Sequence, residues 1–415
     1  MTLSRMFRVQ QQFARPRVED VAAAIMTELR GSGVLVRPGE RIAIAVGSRG
    51  MSDLPVLVRQ TVAWVKAQGG LPFIVPAMGS HGGATAEGQT AVLARYGVTE
   101  ESVGAPVRSS MEVVELPRGE TRTPVYFDRL ASECDGTILI NRIKPHTSFH
   151  GRFESGLMKM MAIGLGKHAQ ALAIHALGVE GLREVMPEVG RQILLHANVR
   201  LGLAVVENAY DEIMLVRALP AADIPGEEPL LLEIARRNMP CLPVGKLDVL
   251  IVDEIGKNIS GLGMDPNIIG RLKIRGQPEP VWPDIGMIVI RDLTSETHGN
   301  AAGMGLADII TRRAYDKIDF QATYANVLTT GFLERAKVPV IAATDREAVE
   351  LACRAAGAGS AETVRLIRIR NTLHLDDLLV SEAVLNEIKD HAGLTRLGEF
   401  TPVWDETGLM AALPI

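Results

Sequence analysis

The sequence predicts an α/β protein of two domains, each with a mainly parallel sheet, and an active-site cleft between them. Three observations carry that expectation. Short β-branched runs alternate with amphipathic stretches through both halves of the chain, which is the pattern of strand–helix–strand units. At 415 residues, 47% of them hydrophobic, the chain is long enough for more than one core, given domains of roughly 100–200 residues. Pro240 and Pro243 interrupt the alternation near its middle. The boundary therefore separates an N-terminal catalytic and cofactor-binding domain, residues 1–243, from a C-terminal α/β domain, residues 244–415, that closes the cleft.

Taken in order, Arg41 to Val46 reads as a buried strand, and Leu54 to Gln68 as a helix stopped by Gly69-Gly70. A strand at Pro72 to Pro76 leads through a glycine-rich turn to a helix capped by Thr85 and ended by Gly97. Gly136 to Asn141 is the next strand, and a methionine-bearing apolar region beyond Gly151 reads as helical through His196. Strands at Arg200 to Val206 and Glu212 to Leu219 precede a helical stretch to Asn238. The second half opens with strands at Leu247 to Asp253 and Ile285 to Asp292, with helices at Gly303 to Arg313 and Ala348 to Gly357.

The net charge of −5 and pI near 6.0 leave no basic patch for nucleic acid or an anionic membrane. A small molecule is the expected partner. Cys134, Cys241 and Cys353 have no paired spacing, which argues against a disulfide framework or a thiolate zinc site. The first dozen residues are too polar for a signal peptide or membrane span. The expected compartment is the cytoplasm.

Several histidines fall in turns just after strands. His81 lies in Met78-Gly79-Ser80-His81-Gly82-Gly83, where a ligand can approach the backbone closely. His146 follows Lys144-Pro145 after the strand ending at Asn141. With an ordinary pKa near 6.5, a pair of such residues suits proton transfer on two sides of one carbon. His175, inside an apolar stretch, reads locally as a core histidine. Lys159 stands among Met158, Met160 and Met161, where a buried ammonium is costly unless its charge is removed or the nitrogen is bonded.

Lys144-Pro145-His146, then Ser155-Gly156 leading to Lys159, then His175, with Gly79-Ser80-His81 upstream, resembles the nickel-pincer-nucleotide-dependent lactate racemase family. The resemblance spans about the first 240 residues; beyond them it is one of layout only. It implies an isomerase, a racemase or epimerase of a 2-hydroxy acid. His81 and His146 would be its acid/base pair, Lys159 would hold the nickel-pincer nucleotide through a thioamide with Lys144, Ser155 and Gly156 around it, and His175 would ligate nickel. Ser48-Arg49 looks like the family's Thr-Arg pair, whose arginine meets the substrate carboxylate, which a guanidinium can grip in a fork. The implied reaction is reversible hydride transfer from C2 to the cofactor through a 2-keto acid, and cofactor-maturation proteins are implied partners. From the second half, Lys257, after a strand, is a candidate substrate ligand, and Glu296 to Asn300 a candidate pocket segment.

Three other readings compete. His146 and His150 with His81 or Glu154 would make a zinc hydrolase site. Gly164 to Ala169 fits a dinucleotide-binding turn of a nicotinamide oxidoreductase. A small-acid-binding protein would use Arg49 and Lys257 as clamps.

Overall fold

The computed structural model describes residues 5–48, 50–401, 403–411 and 413. Its strands are β1 (Met6–Gln11), β2 (Arg41–Val46), β3 (Leu71–Pro76), β4 (Val113–Leu116), β5 (Val125–Asp128), β6 (Gly136–Arg142), β7 (Val199–Glu207), β8 (Ile213–Pro220), β9 (Lys246–Ile255), β10 (Asp284–Leu293), β11 (Ile309–Thr311), β12 (Val340–Ala342), β13 (Leu366–Asn371), β14 (His374–Val380) and β15 (Leu394–Phe400). The chain forms two compact units, one of residues 14–239 and one of residues 1–13 with 240–415.

In the first unit the sheet order is β3-β2-β6-β7-β8. The first four strands are parallel and β8 returns antiparallel to β7. β2 and β3 are buried along nearly their whole length, as expected of parallel strands covered on both faces. Ile42, Ile44 and Val46 join Leu57, Val58 and Val65 of the helix Leu54–Ala67 in one core cluster, with Ile25 and Leu29 of the helix Val21–Gly31. Gly202 of β7 lets Leu157 and Ile224, which begins the helix Ile224–Arg237, come close to the strand. β4 and β5 form a separate antiparallel pair.

The region expected to be helical from Gly151 to His196 starts instead at Leu157 and contains two π-type turns, Met160–Gly164 and Gly181–Val185. Gly-Leu-Gly-Lys-His-Ala at 164–169 therefore joins a π-type turn to the helix Lys167–His175, with no strand before it. It is not a dinucleotide turn, which needs a strand leading into the glycines.

The second unit has one sheet in the order β12-β11-β10-β9-β13-β14-β1-β15. β12 to β13 run parallel, and β14, β1 and β15 add antiparallel strands. Two expectations are corrected here. Met6–Gln11 belongs to this sheet rather than the N-terminal half, because β14 and β15 supply backbone partners on both of its edges. Gly303 to Arg313 is not one helix: Ile309-Ile310-Thr311 is β-branched and pairs with β10. Among the described residues, no helix is long and apolar enough to cross a membrane.

Candidate active site

Strand β2 lies between β3 and β6, so the chain leaves it toward one neighbour and later returns on its other side. Crevices at the carboxyl ends of such strands are where ligands bind in open α/β sheets. Three segments leave these ends: Gly47-Ser48 after β2, Ala77 to His81 after β3, and Ile143 onward after β6. Arg49, expected to grip the substrate carboxylate, lies outside the described residues.

Ser48 and His81 meet, with Ser48 Oγ 2.5 Å from His81 Nδ1. The turn carrying His81 is held from beneath by Gln89, which is fully buried and donates its amide to the Gly79 and His81 carbonyls at 2.9 and 3.3 Å. Gly82, at φ +65°, lies so close to Gly88 that a Cβ there would sit 2.6 Å from the Gly88 carbonyl carbon.

The segment after β6 is a closed loop. Lys144 and Ser155, both expected near the cofactor, pair across its neck through their backbones at 2.9 and 3.2 Å. The loop folds around Glu154, whose side chain is fully buried. Its carboxylate accepts the His146 N–H at 2.5 Å and the Gly151 N–H at 3.1 Å, faces His150 Nδ1 at 3.2 Å, and pairs with Arg236 Nη2 at 2.5 Å. Burial pushes the Glu154 pKa up, but His150, the His146 amide and Arg236 outweigh it and hold the carboxyl below its ordinary value. With both oxygens so engaged, Glu154 is a loop organiser rather than the zinc ligand of the hydrolase reading. His146 stacks on Phe149 with ring centroids 4.5 Å apart, and its Nδ1 accepts the Ser148 N–H at 3.0 Å. The neutral ring therefore carries its proton on Nε2.

Asn141 binds the Gly156 carbonyl at 2.7 Å, and the helical run carrying Lys159 begins at Leu157. Met158 and Met160 are buried as expected, but Lys159 itself is only half-buried, so its ammonium does not bear the full cost of burial. His175 ends the next helix, Lys167–His175, which a turn and the left-handed Lys167 (φ 54°) separate from that run, and it is half-buried. Burial and then the charge of Lys159 push its pKa down to about 4, which keeps the ring neutral at physiological pH. A neutral imidazole beside a lysine amine fits a group bonded to that amine whose metal takes one protein nitrogen. Among the described residues no three His, Cys, Asp or Glu side chains converge on a metal position.

The fully buried lysine of this unit is Lys167. Its Nζ meets Asp128 at 2.8 Å and the Pro76 carbonyl at 2.5 Å, tying the end of β3 to β5. Lys257 belongs to the other unit, where its Nζ donates to the Gly261 carbonyl and Asn326 Oδ1, both at 2.6 Å. Glu296 and His298 sit on an exposed turn after β10, with His298 at φ 48°.

Residues 6–185, which contain Ser48, His81, Lys144, His146, Ser155, Gly156, Lys159 and His175, match the lactate racemase N-terminal domain. Residues 6–185 are thus a domain of the lactate racemase N-terminal type. The fold agrees: the lactate racemase apoprotein of Thermoanaerobacterium thermosaccharolyticum superposes with a TM-score of 0.50 at 14% identity, over 89% of this chain and 98% of that one. No curated protein sequence matches. Within this racemase-type domain the sequence alone had pointed to the histidines and Lys159, but not to the groups that hold them. Gln89 and Glu228 act from buried positions on other segments, and Glu154 from the buried centre of the His146 loop. Glu228 had a legible signal, since it falls on the apolar stripe of its helix with Ile224, Leu231, Leu232 and Ala235.

Proposed function

We propose that this protein is a racemase or epimerase of a 2-hydroxy acid, and that it works with a nickel-pincer nucleotide attached to Lys159. The observation that carries this reading is the influence of Lys159 on a His175 ring kept neutral, the two residues lying on successive helices of a region that matches the lactate racemase N-terminal domain. When bound, such a group supplies a reversible hydride acceptor, the chemistry that inversion at a hydroxyl-bearing carbon requires.

The chain's own residues would do the rest. Arg49, following β2, would take the substrate carboxylate in a two-pronged hydrogen bond. His81, its Nδ1 committed to Ser48, would exchange the hydroxyl proton through Nε2. His146, protonated on Nε2 when neutral, would present a donor to the same oxygen from the neighbouring loop and would exchange roles with His81 for the opposite enantiomer. Acylation of Lys159 would remove the charge that now acts on His175.

The test is expression together with the proteins that make the cofactor, with nickel in the medium, followed by intact mass and metal analysis. The expected result is a mass gain of several hundred daltons with nickel near one per chain, both lost in Lys159→Ala. An unmodified, nickel-free chain under conditions that load a known family member would overturn the reading.

A further inference from the structure

Beneath Lys159 lies a carboxyl that this chemistry does not use. Glu228, on the helix Ile224–Arg237, is 1% exposed, and its Oε2 accepts the Met158 N–H at 2.9 Å. The carboxyl also faces the Leu157 amide. Its other oxygen, Oε1, is buried without a hydrogen-bond partner and lies 2.2 Å from where a Cβ on Gly156 would be. Burial is the largest influence on it and lifts its pKa to about 8, so the group holds its proton at neutral pH.

The first amides of a helix have no partner within it, and a Ser, Thr, Asp or Asn just before the helix ordinarily supplies one. Here the residue before the helix is Gly156, with extended backbone and no side chain to offer. A buried acid on another helix does the work instead, although burying an acid is unfavourable. A local cap would satisfy the same amides but would fix the helix only to its own preceding residue. The cap from Glu228 fixes it to the helix Ile224–Arg237, which also carries Arg236, the partner of the Glu154 that holds the His146 amide. One helix thus anchors both the Lys159 run and the His146 loop. Lys159 is the third residue after Gly156, so its backbone position follows directly from the capped turn.

We propose that Glu228 is a positioning residue for Lys159, fixing the start of its helical run so that the amine is presented for covalent attachment of the cofactor. The inference rests on the reading of Lys159 as the tether.

Initial rates of covalent mass gain under limiting cofactor, on wild type, Glu228→Gln, Glu228→Ala and Gly156→Ala, test it, together with hydrogen exchange at Leu157 and Met158 in the unloaded proteins. Glu228→Gln keeps an acceptor oxygen in the same shape and is expected to load within about threefold of wild type, with both amides protected. Glu228→Ala is expected to load at least about tenfold more slowly, with both amides exchanging freely. Gly156→Ala, which pushes the carboxyl aside without removing it, should slow loading similarly and stands in if Glu228→Ala does not fold. Leu29→Ala, in the core cluster under the helix Val21–Gly31, serves as the destabilised control and is expected to load like wild type. Folded Glu228→Ala or Gly156→Ala protein that loads at the wild-type rate would overturn the proposal. A wild type that gains no mass would instead overturn the tether reading on which it depends.

Discussion

Arg236 and Glu154 pair at 2.5 Å, although Glu154 is buried in the loop after β6 and Arg236 comes from the end of a distant helix. The carboxylate so held also accepts the His146 amide, so the pair links the placement of a candidate acid/base residue to the body of its unit. Arg236→Ala should leave Glu154 short of one partner and cost about 1–3 kcal/mol. Urea unfolding would measure the loss. Faster hydrogen exchange across residues 146–154, with the rest of the unit unchanged, would locate it.

Glu154 also gives stability a pH dependence. Its folded pKa lies below the ordinary 4.5, so the stabilisation is present above the unfolded pKa and is lost as pH falls through the folded value. Wild type should therefore lose stability on acidification below about pH 4.5 more steeply than Glu154→Gln. Thermal midpoints from pH 6 down to pH 3 would show it, and parallel curves for the two proteins would refute the assignment.

Glu228 predicts the opposite slope. With its pKa raised from 4.5 to about 8, the native state binds a proton that the unfolded state releases. Its contribution is then largest below pH 4.5 and declines up to about pH 8, by at most about 1.4 kcal/mol per pH unit. Glu228→Gln removes that proton, so its thermal midpoint should gain on wild type as pH rises from 5 to 8. Calorimetry at matched ionic strength would decide this.

Lys167 and Asp128 form an ion pair with both side chains fully buried. Asp128→Asn or Lys167→Met alone should destabilise the unit by about 3–5 kcal/mol, because each leaves a buried charge uncompensated. Replacing both with apolar residues of similar volume should cost far less than the sum. A double-mutant cycle in denaturant measures the coupling.

Ser48→Ala tests the orientation of His81. Loss of a hydrogen bond contributing about 1.4 kcal/mol to ring placement corresponds to about tenfold in rate. On the proposed function, kcat of the loaded enzyme should fall about tenfold with KM little changed. An unaltered kcat would show that His81 needs no help from Ser48.

The parallel strands of the first sheet were legible because burial on both faces makes them continuous apolar runs, as in Ile42 to Val46. His81 and His146 were legible because they directly follow such runs. β11 was not: three residues buried between neighbours carry no period, and they fell within the stretch Gly303 to Arg313 expected to be helical. The antiparallel strands near the C-terminus escaped notice because they are short, polar on one face, and completed by β1 from the far end of the chain. Partners such as Arg236 for Glu154, or Asp128 for Lys167, are long-range contacts that no local spacing encodes. Lys159 had seemed a buried cation because its methionine neighbours are buried, while it is itself only half-buried.

Strand β1 sits between β14 and β15, which makes residues 14–239 an insertion after the first strand of the other unit's sheet. On the ribosome, this strand is made before the rest of its sheet and is therefore among the last to find its place. It must wait, unpaired, through the synthesis and folding of the whole intervening unit. Its sequence, Met-Phe-Arg-Val-Gln-Gln, bears an arginine and glutamines among its apolar residues, and such polar residues make a waiting strand a poorer template for aggregation.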